Sequence, residues 1–223
     1  MDIISQIFQT IGFLFSLVVL AFLWRRAFRP SEIRTFWVLL ASAWTFGMLG
    51  TIVWIVHDLT IETELGAFSI IDLFYVLRYV LLGYVLWLYP APLSRRAWLW
   101  VGGAMLAANV FARAVYFEPA VALIGSDWVD FWGQVMYLIL DVGIIALAWL
   151  RVRAPRPASW NRYVLLLFCA MLSYGAANTI NLTEYIFSLS GGTLQNVLWM
   201  LTDVFALILV LRIDPQIGKS NEE

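Results

Sequence analysis

The chain has 223 residues, of which 62% are hydrophobic and 13% charged, with a formal net charge of −1 and a mean hydropathy of +0.83. That charged share is about half of what a soluble domain carries, so a soluble globular domain is excluded and an integral membrane protein remains. One cysteine, Cys169, and one histidine, His57, exclude a disulfide framework, a thiolate metal site, an ordinary zinc site and bis-histidine haem.

A membrane-spanning helix needs roughly 20 mostly apolar residues. Seven such stretches occur, near 4–24, 35–57, 68–89, 97–116, 128–150, 162–183 and 195–212, joined by connections too short for a soluble domain. The first begins after Asp2, lacks a basic leader and is followed by arginines, so it reads as a permanent helix and not a secretory signal. The second carries "FGMLGTI" and then Thr51, Trp54 and Asp58. The third, "SIIDLFYVLRYVLLGYVLWLYP", places Arg78 near its middle, with Asp72, Tyr75 and Tyr79 on one face. The fourth adds Asn109, Arg113 and Tyr116, and the fifth Asp130, Gln134, Tyr137 and Asp141. The sixth adds Tyr174, Asn178, Asn181 and Tyr185, and the seventh Asn196, Trp199 and Asp203. Spacings of i, i+4, i+7 and i+11 share one helix face, so each of these six helices bears one polar stripe.

Basic residues follow the odd-numbered spans: Arg25, Arg26, Arg29 and Arg34, then Arg95 and Arg96, then Arg151, Arg153, Arg156 and Arg162, then Arg212 and Lys219. The opposite connections hold only acids, among them Asp58, Glu62, Glu118 and Glu184. The positive-inside rule therefore puts the N-terminus outside and the C-terminus in the cytoplasm. The chain is expected to be multi-pass in the inner (plasma) membrane.

An internal repeat is visible. "FGMLGTI" (46–52) aligns with "YGAANTI" (174–180), and "DLFYVLRYV" (72–80) with "NVLWMLTDV" (196–204). Asp72 then matches Asn196, Tyr75 matches Trp199, Arg78 matches Thr202 and Tyr79 matches Asp203. Both copies cross in the same direction, which gives a parallel 3+1+3 plan: residues 1–89 as one three-helix unit, 97–116 as a linker helix, 128–212 as the second unit and 213–223 as a cytoplasmic tail.

At about 1.5 Å per helical residue, Arg78, Asp141 and Asp203 fall near mid-membrane, and most other stripe residues lie between them and the outer side. An outward-opening polar cavity floored by these three follows. A charge at the centre of a span costs about 2.5–3.5 kcal/mol and faces the bundle interior with a partner. An ion pair of Arg78 with Asp141 or Asp203 is therefore expected, leaving the other acid to a proton, a cation or a ligand amine. The predicted site comprises Arg78, Asp141, Asp203, Asp72, Tyr75, Tyr79, Asp130, Gln134, Tyr137, Asn178, Trp199 and Arg113.

The runs "WTFGMLGTIVWIVHDL", "SIIDLFYVLRYVLLG" and "LQNVLWMLTDVFALILVLR" resemble the multi-pass membrane sensor regions that precede diguanylate cyclase or kinase domains in bacterial receptors. That resemblance covers about half the chain and implies signalling. Since the sequence runs on only to "RIDPQIGKSNEE", the signal is expected to pass to a separate partner. Seven helices with "LRYVLLGY" in the third and "LTDVFALILVLR" in the seventh are also similar to microbial rhodopsins, which would put Arg78 and Asp203 in a counter-ion complex. The retinal lysine of that family has no counterpart, the only lysine being Lys219, so a retinal Schiff base is excluded.

No phosphate loop, nucleophile elbow or metalloprotease motif occurs, so no enzymatic activity and no cofactor are expected. The sequence reads as a membrane protein that binds or senses a small ligand, or a proton, in an outward polar cavity and relays this to a membrane or cytoplasmic protein partner. A small-solute or proton transporter, and an accessory subunit of a larger membrane complex, are the alternatives. No nucleic acid partner is expected.

Overall fold

Long runs of Leu, Val, Ile, Ala and aromatic residues leave the backbone no hydrogen-bonding partner in an apolar medium except itself, so such runs become helices. The computed structural model describes residues 3–60, 69–124, 128–187 and 192–211. It contains α1 (Ile3–Ala27), α2 (Arg34–Thr60), α3 (Ile70–Leu88), α4 (Arg95–Ile124), α5 (Trp128–Arg153), α6 (Asn161–Ile186) and α7 (Thr193–Leu211), with one 3-10 turn at Ala158–Trp160. All seven are long and apolar enough to cross a membrane, and the described residues contain no strand. Helix α4 is longer than its apolar run, at 30 residues, because it continues through Pro119.

Six helices close a ring in the order α1, α2, α3, α5, α6, α7 and back to α1, while α4 lies outside it against α5 and α6. Paired residues fix the relative directions. Helices α3 and α5 run parallel, with Asp72 beside Tyr137, Tyr79 beside Asp141 and Leu86 beside Arg151. Helices α1 and α7 do the same, with Gly12 against Met200 and Ser16 against Asp203. Neighbours in sequence run antiparallel, as Gly47 against Arg78 and Gly50 against Tyr75 show for α2 and α3.

One end of the ring is solid. Phe36, Trp37, Tyr89, Trp160 and Tyr163 interlock mostly edge to face, above buried Leu23, Leu40, Leu86 and Leu209. The outer surface carries Leu14, Val18, Val80, Leu99, Phe111 and Leu165 exposed, the apolar coat that a lipid environment accepts.

Glycine decides one close approach. A Cβ on Gly50 would stand 3.0–3.2 Å from three ring atoms of Tyr75, and one on Gly47 2.8 Å from Arg78 Nη1. These two positions let α3 lay its largest polar side chains directly on α2. Because the Tyr75 hydroxyl is also tied to Thr51 at 3.2 Å, the ring cannot swing away freely. Gly50→Val should therefore cost about 1–3 kcal/mol of overpacking, read as a lowered midpoint in thermal unfolding; an unchanged midpoint would show that the ring relocates.

Candidate functional site

The end of the ring opposite the aromatic lock is hollow. A cavity of about 510 Å³ is lined from α1 by Gln9, Gly12 and Ser16, from α2 by Trp44, Thr51 and Trp54, and from α3 by Tyr75 and Arg78. Tyr137 of α5, Tyr174 and Asn178 of α6, and Trp199, Thr202 and Asp203 of α7 complete its polar and aromatic wall. It occupies the half of the bundle where α1, α3, α5 and α7 begin. The mixture of rings, amides and one charge of each sign is the composition of a small-molecule pocket, and its volume lies within the usual range of about 300–1,000 Å³.

Asp203 is buried, and each of its oxygens takes one neutral donor: the Ser16 hydroxyl on Oδ2 and Trp44 Nε1 on Oδ1 at 2.9 Å. Asp141 is buried as well and is held in the same fashion. The Tyr79 hydroxyl donates to its Oδ1 at 2.5 Å and Asn178 Nδ2 to its Oδ2 at 3.0 Å. Asn178 in turn accepts from Trp199 Nε1 at 2.9 Å, so Asp141, Tyr79, Asn178 and Trp199 form one network across α5, α3, α6 and α7. Asp72 accepts from the Ser69 backbone N–H at 2.7 Å, which ties down the start of α3, and also from the Tyr137 hydroxyl.

Arg78 departs from expectation. Neither aspartate lies within 4.0 Å of its guanidinium nitrogens, and among the described residues it makes no hydrogen bond. Its Cζ sits 4.1 Å from the Tyr174 ring centroid and 5.3 Å from that of Trp44. Two electron-rich ring faces take the cation in place of a carboxylate; such contacts are worth about 2 kcal/mol or more when desolvated. The side chain is only 8% exposed, and its Nε is fully covered without a partner.

Six of the predicted site residues, Arg78, Asp203, Tyr75, Tyr137, Asn178 and Trp199, do line the cavity. Asp141, Tyr79 and Asp72 are not in the lining; they brace its wall from behind or from the start of α3. Arg113 stands exposed on α4, outside the ring, and does not reach the cavity. Asp130 and Gln134 belong to α5, but their side chains lie outside the described residues.

Sequence reasoning missed α1 altogether. Gln9 and Ser16, seven residues apart with Gly12 between them, repeat the same helical spacing, and that weak stripe was the available signal. It also missed Arg151, whose Nε donates to Leu86 O at 2.7 Å and whose Nη2 donates to Trp87 O; nothing distinguishes it in sequence from its basic neighbours.

Comparison with protein-family models, with curated proteins and with solved structures finds no match to this chain. The fold and the site define a seven-helix, multi-pass bundle with a polar cavity at one end, and further identification rests on the chemistry of that cavity.

Proposed function

We propose that this protein binds a small molecule in the cavity from the outer side of the plasma membrane and relays its occupancy to a protein partner. The observation that carries this reading is the cavity itself, walled by six helices and furnished with amides, hydroxyls and indoles, where a purely structural bundle packs side chains. The outward orientation rests on the arginines, which cluster at the ends of the odd-numbered helices, away from the cavity. Occupancy can be relayed because a ligand would touch both α1–α3 and α5–α7, and so bias how these two groups pack.

The parallel repeat is supported by equivalent contacts in the two groups. Thr51 donates to Gly47 O at 3.1 Å, and Thr179, its aligned partner, donates to Gly175 O at 2.8 Å. Tyr75 lies against Gly50, and the aligned Trp199 bonds the aligned Asn178. This twofold arrangement favours a second reading, a transporter in which one unit rocks against the other about the cavity.

Accessibility separates the two. In a Cys169→Ser background, Gln195→Cys in the cavity wall should react with a membrane-impermeant maleimide added outside intact cells and not from the cytoplasmic face of inverted vesicles. Labelling from the cytoplasmic side alone would reverse the orientation, and labelling from both sides would favour transport. Complete protection from both sides would overturn the accessible cavity and with it the binding reading.

A further inference from the structure

We infer that the cavity takes a small organic acid, with the ligand carboxylate docked on the Arg78 guanidinium and an apolar or aromatic body lying among the rings above it. This rests on the ligand-binding reading and names the chemistry of the ligand. The group that lacks a partner in the wall is the cation and not an acid. Asp203 and Asp141 each accept a neutral donor on both oxygens, whereas Arg78, with five N–H donors, makes no hydrogen bond among the described residues. A guanidinium this far buried gains from an acceptor that the protein does not supply, and a carboxylate matches its planar fork with two parallel bonds.

The site is built around the guanidinium. Gly47 clears the space for Nη1, since a Cβ there would come to 2.8 Å, and Cζ lies over the Tyr174 and Trp44 rings. Ring faces offer the guanidinium no lone-pair acceptor, so its N–H donors remain open to one. The rest of the wall includes Phe8, Phe13, Trp54, Ile55 and Met200, which suits an apolar body better than a second ionic group. Asp203 is the one feature that works against an acid, because it puts a like charge in the same wall. Removing that charge should therefore strengthen acid binding and weaken the binding of an amine. The carboxylate could belong to a simple acid or to an amino acid, and these differ in what they ask of Asp203.

Four probes with one phenyl body separate the possibilities: 3-phenylpropionate, phenylalanine, 3-phenylpropionamide and phenethylamine. Thermal unfolding of the full chain in detergent, followed by circular dichroism, and calorimetric titration supply the readouts. One or both carboxylates should stabilise the protein, while the amide and the amine do not. Arg78→Gln should weaken the binding by about thirtyfold, the worth of charge-assisted bonds. Gly47→Ala, which displaces the guanidinium without removing its charge, should weaken it in the same direction. Asp203→Asn should tighten 3-phenylpropionate and loosen phenylalanine if the amino group uses Asp203, which tells the simple acid from the amino acid. No response to either carboxylate, or equal response in folded Gly47→Ala and wild type, overturns the inference. Stabilisation by phenethylamine that is lost in Asp203→Asn also overturns it, yet leaves the cavity a ligand site; failure of the binding reading itself shows separately, as protection of Gln195→Cys from both sides.

Discussion

Asp141→Leu should lower the free energy of unfolding by about 2–4 kcal/mol, because it strips a carboxylate acceptor from the buried Tyr79 hydroxyl and the half-buried Asn178 amide at once. The substituted leucine fills nearly the same space, so lost packing does not account for the effect. What remains is a Tyr79 hydroxyl without its acceptor and an Asn178 amide left with Tyr79 Oη at 3.2 Å, with Asn178 still required to hold Trp199. Asp141→Asn should cost less, since its amide oxygen can still accept one of the two bonds. The decisive measurement is a double-mutant cycle. Tyr79→Phe in the Asp141→Leu background should recover part of the loss, because removing both partners of a buried bond is cheaper than removing one. Additive losses would mean that the two side chains do not share a bond.

This network also shows where sequence reasoning stops. The helices themselves were legible because apolar runs of about twenty residues have few alternatives. The stripes were legible because helical spacing is fixed, and Arg78, Tyr75, Tyr137, Asn178, Trp199 and Asp203 do converge. Spacing on one helix says nothing of which helix lies opposite, however. Asp141 and Asp203 share a predicted depth and an identical chemistry, yet Asp203 faces the cavity and Asp141 turns between α3 and α6. The same limit misled the reading of Arg78. Charge counting pairs a buried arginine with a buried acid, whereas here the carboxylates bond the neutral donors Ser16, Trp44, Tyr79 and Asn178 and the guanidinium lies over aromatic rings. Arg113 joined the predicted site on stripe geometry alone, and the placement of α4 outside the ring removed it.

Viewed across helices, α3 is tied to α5 at three levels: Tyr137 to Asp72 near the start, Tyr79 to Asp141 in the middle, and Arg151 to Leu86 and Trp87 at the end. Only the first two lie beside the cavity. Since α3 carries Arg78 and Tyr75, these ties fix the height at which the guanidinium enters the wall. A parallel pair of helices joined by such rungs can slide only if several break together, which gives a ligand in the cavity a defined element to bias.

Arg151→Leu should be the most damaging substitution at the far end, lowering stability by about 2–4 kcal/mol through the loss of two charge-assisted hydrogen bonds to backbone carbonyls. The last carbonyls of a helix have no partner within it, and at the end of α3 this one side chain, itself 1% exposed, serves Leu86 O and shares Trp87 O with the Leu93 N–H. Leucine would restore the apolar contacts of the stem but take the Arg151 donor from Leu86 O and leave Trp87 O with the Leu93 N–H alone. Arg151→Lys should fall between, since an ammonium can reach one carbonyl but lacks the fork that serves two. Arg156 will not substitute, because it already donates to Arg151 O, Val152 O and Ala154 O at the end of α5. Asp141 and Arg151 are ten residues apart on one helix, about 15 Å, so their losses should add if the rungs act independently. A combined loss in thermal unfolding clearly larger than the sum would show instead that α3 leaves α5 as a single unit, and that the middle and end rungs are two parts of one latch.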